Sequence, residues 1–358
     1  METPSPVRPP AIHVFVVDGT LSRLDEGEET NAGLLYKLLR DLGPQRDQTV
    51  TYHPGVQAEG LKKWVNVAAG MGINQSILEG YATLASRYRP GDAIMLFGFS
   101  RGAYAVRSLA GLINRVGLIR KDAATERRIY RAFRHYEARE MSAAAKDFSR
   151  IYCHENVPIR VLGVWDTVKA LGLPYPILNR LAPMATEFHD HTLGNNVENA
   201  FQALALDENR TSYEPLPWRV DREWSGHVEQ MWFPGAHPDV GGHVHHRPKA
   251  RFLSNIPFRW ILENAEKCGL RLPENWQEEF PENAAAPMAG AYSGVARLFI
   301  FRAPRVPFAC SSESLHPSAI ERRAALPRYK PRARITLPDQ KISPETESPE
   351  HIPSRHPA

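Results

Sequence analysis

The chain has 358 residues and carries 44 lysines and arginines against 40 aspartates and glutamates, a formal charge of +4. That balance makes no electrostatic case for nucleic acid as a partner, and no segment approaches the ~20 apolar residues of a membrane span. The length allows one large core or two small ones, and the three scattered cysteines, Cys153, Cys268 and Cys310, offer neither a metal-ligand spacing nor a disulfide framework.

Such cysteine usage fits a reducing compartment. The first ten residues, Met-Glu-Thr-Pro-Ser-Pro-Val-Arg-Pro-Pro, hold no apolar run that could act as a signal peptide. The expectation is therefore a cytoplasmic protein. Export by a machine that reads something other than a signal peptide is compatible with the same residues.

Residues 1–10 read as a disordered, Pro-rich lead-in. Ile12–Val17 is a buried strand, and Asp18-Gly19-Thr20 turns away from its carboxyl end. Leu34, Leu35, Leu38, Leu39 and Leu42 share one face of a helix from Asn31, which Gly43-Pro44 stops. Thr49–His53 is a short strand, and Asn74–Tyr88 is again helical. Ile94–Phe97 is a buried strand that runs into Gly98-Phe99-Ser100-Arg101-Gly102, and a helix follows from Ala103 to about Ile113. Arg127–Arg134 forms a basic amphipathic helix, read as a solvated face or as a contact for anionic lipid. Ile159–Trp165 is another strand, ending in Asp166-Thr167. A Pro-rich loop (Pro174, Pro176, Pro183) leads to an expected helix near Val197–Leu206. Val228–Phe233 is a strand that ends in Pro-Gly-Ala-His237-Pro-Asp-Val-Gly-Gly242, and Ile256–Cys268 is a closing helix. Residues 270–310 give no clear pattern. Strands alternating with helices predict an α/β fold with a mostly parallel central sheet and helices on both faces. One domain is expected over residues 11–326, followed by a Pro-rich tail, 327–358, too polar to fold.

Strand, G-x-S-x-G, helix is the context of a nucleophile elbow. The turn is tight enough to exclude side chains at Gly98 and Gly102, and it pushes the Ser100 hydroxyl out at the end of the strand. A serine hydroxyl is a weak nucleophile near neutral pH, so it needs a base, and the base needs an orienting acid. In open α/β sheets, functional groups collect beyond the carboxyl ends of the strands. That rule selects Asp166 and His237, in the chain order Ser, Asp, His. Asp18, Asp207 and Asp239 are rival carboxylates, and His243, His245, His246 and His316 are rival bases. His243-Val-His245-His246 has no carboxylate or cysteine at ligand spacing, so no metal is expected there. The oxyanion donors expected are the backbone amides of Arg101 and, from the loop after the first strand, Gly19, while Asp18 and Thr20 are candidate substrate contacts. The Arg101 guanidinium has two readings, a clamp on an anionic substrate group or a partner for Asp18.

Six stretches together resemble one family: Val17-Asp-Gly-Thr20, Gly98–Arg107, Gly163–Val168, Ala203–Arg210, Trp232–Gly242 and Leu315-His-Pro-Ser318. The set is similar to the DUF2235 family of α/β-hydrolases, which includes the catalytic part of type VI secretion phospholipase effectors of the Tle1 kind. The resemblance runs from about residue 11 to 331. It implies a serine hydrolase of carboxylic esters, phospholipids among them, with nucleophile, acid and base on Ser100, Asp166 and His237. Such chemistry calls for no metal or organic cofactor, and the expected partner is an ester or lipid substrate, with peripheral contact with membrane lipid. One departure is Leu21-Ser22-Arg23 after Thr20, where the family commonly has Asn-rich residues.

Two other readings compete. Phe15-Val-Val-Asp-Gly-Thr-Leu21 is similar to an Asp-x-Asp-Gly-Thr phosphatase motif, but Val16 stands where that chemistry needs its nucleophilic aspartate. The other is a non-catalytic α/β-hydrolase-fold binding module.

Overall fold

The computed structural model describes residues 8–20, 22–43, 47–55, 71–138, 140–168, 192–220, 223–244, 247–291 and 299–337. Among these, seven strands form one sheet: β1 (Ile12–Val17), β2 (Gln48–His53), β3 (Ala93–Phe99), β4 (Ile159–Trp165), β5 (Asn199–Ala205), β6 (His227–Phe233) and β7 (Glu313–Leu315). Their order is β2-β1-β3-β4-β5-β6-β7, and every pairing is parallel.

The central strands are mostly apolar, β3 throughout its length, because both faces of the sheet are covered. Alternation along each strand divides the core in two. Phe15, Val17, Ile94, Leu96, Leu162 and Val164 face one layer. That layer holds α2 (Met71–Arg87), α3 (Arg101–Val116), α4 (Glu126–Glu137) and α5 (Ala143–Tyr152). Val14, Val16, Met95, Phe97, Val161 and Trp165 face the other, which holds α1 (Asn31–Asp41) and α7 (Arg251–Lys267). The short α6 (His237–Gly241) follows β6, and α8 (Pro317–Ala325) follows β7. The fold is thus α/β, a parallel sheet with helices on both faces.

Three expectations need correction or a limit. The segment expected as a helix near Val197–Leu206 contains strand β5. Its Ala and Leu content favours a helix locally, but the segment pairs with β4 on one side and β6 on the other. Residues 327–337, expected to start a disordered tail, are packed. Tyr329, Ala333 and Leu337 join Leu204, Leu206 and Trp232 in a third apolar cluster, Tyr329 Oη donates to Asp207 at 2.8 Å, and Ala333 N donates to Leu206 O at 2.9 Å. A few well-spaced apolar side chains and one buried carboxylate outweigh the polar composition of that stretch. At the other end, Arg8 pairs with the buried Asp92 at 2.6 Å, so the expected lead-in is anchored by residue 8. Residues 1–7, the Pro174–Pro183 loop and 338–358 lie outside the described residues.

On α4, Arg128 lies 4.3 Å over the Tyr152 ring and Arg131 lies 5.8 Å over Phe148. Only Arg128 among these is half-buried, and Arg127, Arg131 and Arg134 are exposed.

Candidate active site

β3 delivers Ser100 at the sheet's carboxyl edge. Its backbone has φ 59° and ψ −118°, a conformation that L-residues avoid, and it caps α3 without a side-chain capping bond. Both elbow glycines are required sterically. A Cβ on Gly98 would stand 2.6 Å from Gly102 O, and one on Gly102 would collide with the carbonyl oxygens of Val17 and Asp18. The elbow is therefore pressed between its own helix and the end of β1. Arg101 opens α3, ahead of the bond from Tyr104 N to Ser100 O, so its N–H belongs to the helix's outward-facing first turn.

Asp166 follows β4 directly, also with positive φ (42°). His237 is the first residue of α6, after the turn that leaves β6. The three side chains converge. His237 Nε2 lies 2.9 Å from Ser100 Oγ, and His237 Nδ1 lies 2.6 Å from Asp166 Oδ2. One imidazole thus stands between a hydroxyl and a carboxylate, with a ring nitrogen toward each. All three residues are buried, at 7% exposure for Ser100, 6% for His237 and 0% for Asp166.

The electrostatics favour a neutral imidazole beside an ionised carboxylate. Burial pushes the His237 pKa below its ordinary 6.5, and the adjacent Asp166 carboxylate offsets only part of this. For Asp166, burial alone would favour the neutral acid. The Arg305 guanidinium and the bond and charge of His237 outweigh it and hold the carboxyl far below its usual range. The imidazole is also confined laterally. Phe99 lies against it with ring centroids 4.8 Å apart, and Tyr213 meets it edge-on at 4.8 Å.

The model of the family described as T6SS, phospholipase effector Tle1-like, catalytic domain, matches residues 12–264. The chain belongs to this family. That agrees with the resemblance carried by the six sequence stretches. The uncharacterized protein YEL023C of Saccharomyces cerevisiae is 30% identical over 229 residues, which cover 57% of this chain and 32% of the yeast protein. A crystal structure of an uncharacterized protein from Pseudomonas aeruginosa has a TM-score of 0.48 at 19% identity, covering 76% of this chain and 49% of that one. The Tle1 effector bound to the VgrG spike of the type 6 secretion system has a TM-score of 0.39 at 18% identity, covering 66% and 52%. The chain spans about a third of the yeast relative and about half of each solved chain.

Within this member of the Tle1-like family, the other candidate residues fall into different places. Asp18, a candidate substrate contact, is fully buried. Its carboxylate accepts from Gly19 N (2.6 Å), Thr30 Oγ1 (2.7 Å) and Tyr52 Oη (2.7 Å). It therefore ties the β1 loop to the N-terminus of α1 and to β2. The same bond occupies the Gly19 amide that sequence reasoning assigned to the oxyanion: a buried carboxylate takes the donor next to it. Thr20 differs, because its hydroxyl is buried with no hydrogen-bond partner among the described residues. The Arg101 side chain is half-buried and interacts electrostatically with Tyr213.

The rival carboxylates have structural partners. Asp207 accepts from Gly235 N and Tyr329 Oη, and Asp239 accepts from the amides of Ala236, Ala289 and Gly290. His316 stacks on Phe233 at 4.4 Å and bonds Ser318. His243 follows Gly242, which is left-handed (φ 81°), and His245 and His246 lie outside the described residues.

Three neighbours of the site escaped sequence reasoning. Arg305 grips Asp166. Glu208, fully buried, accepts from His237 N at 3.2 Å and pairs with Arg210 at 2.6 Å. Tyr213 walls the imidazole, with Arg210 over its ring at 3.7 Å. Glu208 and Arg210 lie in the Ala203–Arg210 stretch that carried part of the resemblance, which was the available signal. For Arg305, in a stretch without periodicity, there was none.

Proposed function

We propose that the chain is a serine hydrolase of carboxylic esters, lipase- or phospholipase-like, with Ser100 as nucleophile, His237 as base and Asp166 as its orienting acid. The observation that carries this reading is the continuous contact from Ser100 Oγ through the His237 ring to Asp166, at 2.9 and 2.6 Å. In this mechanism Oγ attacks the ester carbonyl as Nε2 takes its proton, and a tetrahedral oxyanion forms. The Arg101 amide, beside the positive end of α3, stabilises that oxyanion. The Thr20 hydroxyl, buried without a hydrogen-bond partner among the described residues, is the second donor or a substrate contact. The intermediate collapses, His237 returns the proton to the departing alcohol, and an acyl-serine remains. Water that gives its proton to His237 then attacks the acyl carbon; this second tetrahedral intermediate collapses, the acyl C–Oγ bond breaks, His237 returns the proton to Oγ, and the acid leaves.

Two observations support a lipid as the substrate. The family description names phospholipase effectors. Segment 299–308, which carries Arg305, also exposes Ile300 (67%), Phe301 (45%), Val306 (59%) and Phe308 (47%) to solvent. Its Phe299 ring meets Tyr213, which meets His237. An apolar rim so close to a reacting serine suits peripheral contact with membrane lipid, and no described helix is long and apolar enough to cross a membrane. Export by a type VI secretion system enters this proposal through the family alone.

The test is labelling by a fluorophosphonate, which reacts with activated serines. The wild-type protein should be labelled and Ser100→Ala should not. On phosphatidylcholine and phosphatidylethanolamine vesicles, fatty acid release should require Ser100 and His237. A wild-type protein that is folded yet neither labelled nor lipolytic would favour the binding-module reading.

A further inference from the structure

We propose that Arg305 is a positioning residue that acts through Asp166: it holds the carboxylate in the plane in which Oδ2 meets His237 Nδ1, and it locks segment 299–308 to the floor of the site. This rests on the hydrolase reading above.

A carboxylate bonded only to His237 could turn about its last torsion. Here it cannot. Arg305 Nη1 donates to Oδ1 at 2.6 Å and Nη2 donates to Oδ2 at 2.9 Å, a bidentate grip that fixes the plane. Ala205 N donates to Oδ1 at 3.1 Å. Oδ2 thus presents its remaining lone pair to the imidazole. The same guanidinium donates to Ala205 O at 3.0 Å and to Tyr213 O at 2.6 Å. It therefore joins the end of β4, the end of β5 and the turn whose Tyr213 ring walls His237. Arg305 is 5% exposed and Asp166 is 0% exposed, so solvent screens the pair little.

A guanidinium here also acts on the base. It weakens the pull of the Asp166 charge on the imidazolium and favours neutral imidazole. The other groups that face His237 are Glu208 and Arg210, from the loop after β5, together with the Tyr213 and Phe99 rings. A change at residue 305 alters the charge of none of these groups, although it releases the bond to Tyr213 O. A Met removes both the grip and the charge. A Lys keeps a charge but loses the fork.

The experiment measures kcat and kcat/KM against pH on a soluble p-nitrophenyl ester for wild type, Arg305→Lys, Arg305→Met, Asp166→Asn and Asp166→Asn/Arg305→Met. Misplacing a catalytic group by about 1 Å can cost on the order of 100-fold, so both Arg305 variants should lose about that factor in kcat with little change in KM. The acid limb should move to higher pH in Arg305→Met and stay near wild type in Arg305→Lys. Because Arg305 acts through Asp166, its loss should add little in the Asp166→Asn background. That pair of variants also leaves no unpaired buried carboxylate, so the comparison stands if Arg305→Met alone does not fold. Wild-type kcat and pH limbs in both single variants would overturn the proposal. So would a further hundredfold loss on adding Arg305→Met to Asp166→Asn. Ser100→Ala, run alongside, separates the two levels. Full activity in that variant sinks the hydrolase reading itself, whereas an inactive Ser100→Ala beside unaffected Arg305 variants sinks only the role of Arg305.

Discussion

The backbone of Gly241 passes so close to the Phe99 ring that a Cβ at 241 would collide with the ring edge. Phe99 in turn lies against the His237 imidazole. Position 241 therefore reaches the base through one aromatic ring. Gly241→Ala should displace Phe99 and cost about 1–3 kcal/mol of stability, as overpacked sites do. It should also lower kcat at least tenfold, because His237 loses its flat wall. Chemical denaturation and ester hydrolysis would check both. A stable, fully active Gly241→Ala protein would show that Phe99 has room to move.

The acid limb of activity follows from the His237 pKa, which burial holds below 6.5. The reactive form carries a neutral imidazole. On the proposed mechanism, activity should therefore rise as pH climbs through that depressed value. Asp166, held well below the usual carboxylate range, stays ionised throughout this window and adds no second limb. A profile of kcat/KM with its acid midpoint above 6.5 would contradict this balance of forces.

Asp166→Asn should cost on the order of 10³- to 10⁴-fold in kcat, because an amide cannot orient the imidazole as a carboxylate does. Its effect should not add to that of Ser100→Ala, since the two residues act through one imidazole. Single and double variants assayed on the same ester would decide. Independent, multiplying losses would mean that Asp166 contributes by another route.

The parts of this site that were legible in the sequence are those with a local signature. Ser100 sits in an apolar strand, a two-glycine turn and a helix, and Asp166 and His237 come just after strands. β5 was misread because Ala200, Gln202, Ala203, Leu204 and Ala205 are good helix formers. Its strand conformation comes from two flanking strands that no local pattern reveals. Gln202, fully buried, is held by bonds to Leu216 O and Thr167 Oγ1 across the fold. Arg305 was illegible for a related reason. Its partner lies 139 positions earlier in the chain, and nothing near it in sequence shows that a buried carboxylate awaits it. The Gly19 amide misled in the opposite direction, since its loop position was right but its donor is taken by Asp18.

The exposed rim yields a prediction that separates chemistry from lipid contact. Burying a Phe or Ile side chain is worth about 1.5–3 kcal/mol, so Ile300→Ser/Phe301→Ser should weaken vesicle binding at least tenfold. Hydrolysis of a soluble short-chain ester should be unchanged, because neither side chain touches Ser100, His237 or Asp166. Equal activity on vesicles would remove the rim from the account of the substrate.

Ser100 holds a backbone conformation that costs a serine about 1–3 kcal/mol. Glycine adopts it freely, at the expense of roughly 0.5–1 kcal/mol of extra chain entropy lost on folding. Ser100→Gly should therefore be more stable than Ser100→Ala by about 1 kcal/mol. Both variants lack the hydroxyl and its bond to His237, so the comparison isolates the backbone. On the proposed mechanism both should also be inactive, and Ser100 is then a site where stability is given up for reactivity. Urea denaturation of the two variants gives the difference directly, and a Ser100→Gly protein no more stable than Ser100→Ala would mean that the elbow is not strained at this residue.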